Sequence, residues 1–260
     1  MKKIPFFALF FCLSAFSARA FTLEHDFKVQ IGPFDASRTL FRYGLDKDNY
    51  LVSSEVKTSG LFDTLYPFRA EYATTGKING KNLETRSYKY ASKSRFSRRT
   101  KELVYNESGQ PVYRLSSKNG KEKRVDIEQS AEYKGTTDLQ TVFAELARQY
   151  NELGFCAARM EVFDGKRRFD VIFEDQGREN LSKAEDFPFE GEAAKCSMYI
   201  DKLNSDGDDL LWQLSSDKPI YFWIMKDSAS GLPFIAQIKI DDTPLGRLDV
   251  KTQKITVKKD

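Results

Sequence analysis

The chain has 260 residues, with 41 Lys and Arg against 38 Asp and Glu, a single histidine and three cysteines. The basic excess is carried by Lys2, Lys3 and Arg19, so the remainder is charge-balanced and lacks the basic surplus of a nucleic-acid-binding face. One histidine and few cysteines leave too few soft ligands for a transition-metal site, and a Ser–His–Asp arrangement would depend on His25 alone. No metal, cofactor or histidine-based catalysis is expected, and His25 is read as an exposed residue opening the first strand.

Met1-Lys2-Lys3 is a short basic start, Ile4 to Ala18 is almost wholly apolar, and Ala18-Arg19-Ala20 forms an A-x-A pattern before Phe21. This is the layout of a secretory signal peptide, with cleavage expected between Ala20 and Phe21. The apolar run is shorter than the ~20 residues of a bilayer span, and no later segment reaches that length. The expected destination is a bacterial periplasm. Residues 21–260 are expected to form one β-rich domain, since no linker, low-complexity tract or repeat divides them. Cys12 lies inside the apolar run without the small residues that precede a lipidated cysteine. Cys156 and Cys196 remain, and an even pair in an oxidising compartment favours a disulfide.

The strands begin with Phe27 to Ile31, where apolar and polar residues alternate until Gly32-Pro33. Tyr50 to Thr58 alternates again, and Ser87 to Tyr105 does so irregularly. Asn79-Gly80 and Ser108-Gly109 are turn signals. Leu139, Val142, Phe143, Leu146, Tyr150 and Leu153 then recur at helical spacing, which predicts one principal α-helix. Thr137 with Gln140 matches a capping box, Gly154 fits the C-terminal stop, and Glu145 falls on the face opposite the apolar one. Met160 to Phe163, Asp164-Gly165 and Arg168 to Glu174 predict a hairpin with a two-residue type I′ turn. Tyr221 to Met225, Phe234 to Ile240 and Arg247 to Val250 complete the strands. The aggregate is a mainly β fold: a strongly curved antiparallel sheet or open barrel with the helix packed across it.

Phosphate-loop, dinucleotide-binding and nucleophile-elbow patterns are absent. Asp206, Asp208 and Asp209 form a dense acidic group that fails the calcium-loop spacing, with Leu210 and Asp217 at the fifth and twelfth positions from Asp206, and reads as a solvated turn. Two segments remain suggestive. Lys89, Lys93, Arg95, Arg98, Arg99 and Lys101, interleaved with Tyr88, Tyr90 and Phe96, either meet an anionic envelope molecule or form a solvated sheet face paired with acids. Gly60 to Phe68, containing Leu61, Phe62, Leu65, Tyr66 and Phe68, either plugs one end of the sheet or presents an interaction patch.

Several of these pieces together resemble the DUF3108 domain family, exported bacterial proteins of unknown function. They are Thr58-Ser59-Gly60-Leu61 with Leu65-Tyr66-Pro67-Phe68, the helix from Asp138, and the hairpin from Val162 through Asp164-Gly165 to Asp170. The closing pieces are Trp223, Leu232-Pro233 and Leu245-Gly246. Cys156 paired with Cys196 is similar to members with a bridge across neighbouring strands. The resemblance implies an exported antiparallel β-rich domain and supplies no reaction or catalytic residue. Two functions are therefore weighed. One is a non-catalytic periplasmic binding module for an amphipathic or lipid-like envelope molecule, held in a groove beneath the helix. The other is an assembly factor that grips another envelope protein through a sheet edge or the Phe62–Phe68 segment. Leu61, Phe62, Tyr66, Phe68, Tyr88, Arg95, Phe96 and Arg98 are the candidate contacts in either case.

Overall fold

The computed structural model describes residues 21–80, 82–203, 218–241, 243–244 and 246–259. The signal segment with Cys12 and Ala20, and the Asp206–Asp209 group, lie outside the described residues.

The first meander runs through β1 (Phe21–Ile31), β2 (Phe34–Leu45), β3 (Asn49–Thr58), β4 (Phe68–Asn79), β5 (Asn82–Ser94), β6 (Arg98–Tyr105), β7 (Pro111–Lys118) and β8 (Lys121–Asp126). Helix α1 (Gly60–Leu65) joins β3 to β4, and helix α2 (Leu139–Leu153) follows β8. The second meander is β9 (Ala158–Phe163), β10 (Arg168–Leu181), β11 (Gly191–Lys202), β12 (Ile220–Lys226), β13 (Pro233–Ile240) and β14 (Leu248–Lys259). All fourteen strands belong to one sheet, ordered from β8 down to β1, then β14 down to β9. Every pairing is antiparallel. The first and last strands thus meet in mid-sheet, while β8 and β9 are the edges and do not pair.

The sheet curls until its edges approach. Lys101 Nζ on β6 reaches the Asp164 carbonyl at 3.3 Å, and Arg114 Nη1 on β7 reaches the Gly165 carbonyl at 2.9 Å. Thr137 covers the free side of β9, donating to the Glu161 carbonyl and accepting from Phe163 N–H, both at 2.9 Å. An uncovered edge would offer unpaired backbone groups to other chains.

Helix α2 lies inside the curl, touching β3 and β5 on one side and β9 and β13 on the other. Val142, Leu146 and Tyr150 pack on Val162, Phe169, Phe173, Met198 and Phe222. Ala144 packs on Tyr43, Tyr50, Val52 and Leu83 across the lumen. Because walls stand on both sides, Glu145 is buried too, ion-paired to Arg148 at 2.5 Å. It does not face solvent as the one-sided apolar pattern suggests. Gly76 on β4 makes room for the Tyr50 ring, since a Cβ there would overlap both that ring and the Glu84 carbonyl. Strand β12 is buried on both faces: Phe222 and Ile224 face the helix core, while Trp223 and Met225 pack under Phe187 of the β10–β11 connection.

Local corrections have simple causes. The helix cap is Asp138, one residue beyond Thr137, with its carboxylate accepting from Gln140 and Thr141 N–H. The β9–β10 loop has four residues, Asp164 to Arg167, because the Asp164 carboxylate accepts from the backbone N–H of Lys166 and Arg167, each at 2.8 Å. That side-chain turn replaces the type I′ turn, and Asp164 does not adopt a positive φ. Consecutive positive φ angles, 52° and 83°, occur instead at Asn119-Gly120 between β7 and β8. The alternation from Ser87 to Tyr105 is two strands, broken at residues 95–97.

Cys156 and Cys196 form a disulfide with Cα atoms 6.0 Å apart. Cys156 follows the helix and reaches past β10, where its N–H donates to Asp175 Oδ2 at 3.2 Å. Asp175 is the register partner of Cys196, so the bridge ties the helix exit to the strand beyond β10.

Candidate functional site

In a meander, the connections leaving odd-numbered strands share one end of the sheet. Most of the predicted contact residues gather there. Helix α1 rests on β2, with Ser59 N–H donating to the Ala36 carbonyl at 3.0 Å. Thr58 Oγ1 locks the segment: it donates to Asp63 Oδ1 at 2.9 Å and accepts from Phe68 N–H at 2.9 Å. Leu61, Leu65 and Tyr66 are consequently 55%, 51% and 71% exposed, with Phe62 and Phe68 half-buried. They form no plug. Phe34, which opens β2, is 53% exposed and Phe96, in the β5–β6 turn between exposed Arg95 and Arg98, is 82% exposed. Tyr88 does not join them. It turns inward onto Leu103, Tyr105 and Phe163, where burial pushes its hydroxyl pKa up.

Just behind these apolar connections, the strand register aligns seven cations. Lys251 on β14 faces Lys28 on β1, which faces Arg38 on β2. Arg38 faces Lys57 on β3, Lys57 faces Arg69 on β4, Arg69 faces Lys93 on β5, and Lys93 faces Arg98 on β6. The two at the β14 end are neutralised, Lys28 by Asp35 at 2.7 Å and Lys251 by Asp186 at 2.5 Å. Arg38, Lys57, Arg69, Lys93 and Arg98 are exposed. One row inward lie Glu55 and Glu71, and Glu55 is held by Arg42. The stretch from Lys89 to Lys101 showed two members of this row. Arg38, Lys57 and Arg69 escape a linear reading because they lie on three other strands.

The interior holds a second constellation that sequence reasoning missed. Asp138 is wholly buried, which raises its carboxyl pKa against the pull of several donors. Thr74 Oγ1 on β4 donates to Asp138 Oδ1 at 2.8 Å, while Thr141 and Thr85 donate to Oδ2 at 2.7 and 3.3 Å. Tyr50 OH lies 3.1 Å from both the Thr85 and Thr141 hydroxyls. Every lone-pair direction of the carboxylate is occupied by a protein donor, so this network anchors the helix to the sheet and leaves no acceptor for a substrate.

The family described as a protein of unknown function, DUF3108, matches residues 26–248. The chain belongs to the DUF3108 family. No curated protein matches it. Among solved structures it is similar to a β-barrel-like protein of the domain of unknown function DUF1849 from Brucella abortus, at 11% identity and a TM-score of 0.52. That similarity covers 92% of this chain and 98% of the other, and at such low identity it concerns the fold alone. The DUF3108 match extends from β1 to the first residue of β14, so it includes the rim, the Asp138 network and every cation of the row except Lys251.

Two open clefts stand out among the described residues of this DUF3108 chain. One, of about 550 Å³, lies at the end opposite α1 between Leu45, Tyr50, Leu51 and Lys77. The other, of about 480 Å³, lies beside the short helical turn at Ala131–Tyr133, between Ile127, Tyr133 and Phe163. Neither contains a predicted contact residue. Among the described residues no helix is long and apolar enough to cross a membrane, and no group of three potential metal ligands occurs.

His25 is buried, contrary to its expected exposure. Its ring packs against Phe27, Phe41 and Phe234, and neither nitrogen has a hydrogen-bond partner. Burial lowers its pKa from 6.5 to about 4. The unfolded chain therefore binds a proton in this window that the folded chain refuses, and stability falls as pH drops from 6.5 toward 4. Between pH 7 and 5 the loss is about 2 kcal/mol, from 1.36 kcal/mol per pKa unit. Asp138, with its raised pKa, acts in the opposite sense above pH 3.8. Comparing unfolding of the wild type with His25→Phe across pH 7 to 5 isolates the histidine, since this is the chain's sole imidazole. Parallel curves for the two proteins would show that His25 titrates normally.

Proposed function

We propose that this protein is an exported, non-catalytic binding module of the bacterial cell envelope that takes an amphipathic molecule on its outer rim. The observation that carries the reading is the division between a filled interior and an exposed apolar end. Helix α2, packed on both sides, occupies the lumen that a groove-type carrier would keep open. Five of the nine large apolar side chains exposed among the described residues sit instead in or directly beside three connections at the α1 end. Such a cluster is costly in water unless something covers it at work. The disulfide supports an oxidising compartment, since such bonds persist there and not in the cytosol.

Native purification followed by solvent extraction and mass spectrometry tests the reading. An amphipathic molecule is expected to co-purify, and its yield should fall in Leu61→Ser/Tyr66→Ser. A protein that carries nothing amphipathic, or whose cargo is unaffected by the rim substitutions, would refute it. Stoichiometric capture of a protein partner with no lipid would favour the assembly-factor reading.

A further inference from the structure

We propose that the α1 end of the sheet docks on the surface of an anionic lipid bilayer, with the apolar connections entering the acyl–headgroup boundary and the cation row lying along the phosphates. This deepens the binding-module reading and rests on it.

The row itself is the first argument. Like charges placed directly opposite on neighbouring strands repel and cost stability. Here the repulsion is repeated over four successive pairings, from Arg38 to Arg98. Lys57, Arg69, Lys93 and Arg98 form no ion pair with any described residue. The chain evidently can neutralise such positions, because Lys28 and Lys251 in the same row each have a carboxylate. Those four are left for anions that come from outside, while Arg38 also feels the Asp35 carboxylate. At about 4.8 Å per strand the five exposed members span roughly 20 Å. A small soluble anion would satisfy one gap in such a line, whereas a headgroup plane offers phosphates along all of it.

The second argument is the position of the apolar side chains. Phe34 lies four residues from Arg38, Leu61 four from Lys57, Tyr66 three from Arg69, and Phe96 between Lys93 and Arg98. Each apolar residue thus lies on the turn side of its own cation. The tips sit in or beside three separate connections rather than one pocket, which suits shallow insertion into an interface more than the grip of a single partner chain. The two acids beside these tips in the chain, Asp35 at the start of β2 and Asp63 in α1, are already engaged by Lys28 and Thr58. Interfacial binding elsewhere combines these same two elements, buried apolar area and attraction to anionic lipid.

Flotation of the purified protein with phosphatidylcholine vesicles containing about 30 mol % phosphatidylglycerol, against phosphatidylcholine alone, tests the proposal. Binding to the anionic vesicles is expected to be at least about tenfold tighter and to be lost near 0.5 M salt, roughly where screening is short-ranged. Lys57→Gln/Arg69→Gln/Lys93→Gln and, separately, Leu61→Ser/Tyr66→Ser/Phe96→Ser should each weaken it about tenfold or more without lowering the thermal unfolding temperature. Lys77→Gln at the opposite end should leave binding intact. Equal binding to both vesicle types, or full binding by the glutamine variant, overturns the proposal. So does capture of an acidic protein without vesicle binding. A co-purifying amphipathic molecule with no vesicle binding would reject the bilayer while leaving the binding module standing, and loss of both would sink both.

Discussion

Replacing Cys156 and Cys196 together by alanine is expected to lower the unfolding free energy by about 4 kcal/mol, the loop-closure entropy for a bridge of this span. The two residues are 40 apart in the chain, and both are fully buried in the main core. The consequence should be local as well as global. Once the bridge is gone the helix exit keeps its core packing and two polar ties: Cys156 N–H to Asp175 at 3.2 Å, and Arg178 Nη2 to the Gly154 carbonyl at 2.5 Å. Amide exchange in α2 should accelerate more than in β3 or β4. Denaturant midpoints of the two proteins measure the global effect. A difference below about 1 kcal/mol would mean that the bridge hardly restricts the unfolded chain.

Asp138→Ala should cost about 3 kcal/mol, the sum of a lost helix cap and a buried hydroxyl left without its acceptor. Thr74 is the hydroxyl at issue, since Thr85 and Thr141 retain Tyr50 as a partner. Asp138→Asn should cost distinctly less, because the amide oxygen still caps the helix and the threonine hydroxyls can turn to accept from its NH₂. Equal losses for alanine and asparagine in thermal or denaturant unfolding would show that the charge, and not the hydrogen-bond geometry, holds the network.

The two predictions concern residues that differ in how visible they were beforehand. The cysteines announced themselves as an even pair beyond the apolar N-terminal run. Asp138 did not, because its partners Thr74 and Thr85 are more than fifty residues upstream and have no periodic relation to it. The local pattern Thr-x-x-Gln favoured Thr137 as the cap. Thr137 is drawn instead into pairing with β9, and the carboxylate next to it takes the helix N–H groups.

Strand alternation, the 3.6-residue period of α2, the Gly154 stop and the Cys156–Cys196 pair were legible in the amino-acid sequence, because each arises from interactions between near neighbours or from composition. They were sufficient for a curved antiparallel sheet with one principal helix. What tertiary structure alone decided is where faces and rows point once distant strands pair. His25 looked exposed beside charged residues, yet β1 lies in mid-sheet, and Phe41 and Phe234 from other strands enclose its ring. Glu145 lay opposite an apolar stripe, yet the sheet closes round both sides of the helix. The cations of the rim are scattered from Lys28 to Lys251, and no spacing along the chain connects them. They become a row because antiparallel register sums each strand's length and each turn's size, and that sum is set only when the whole sheet forms.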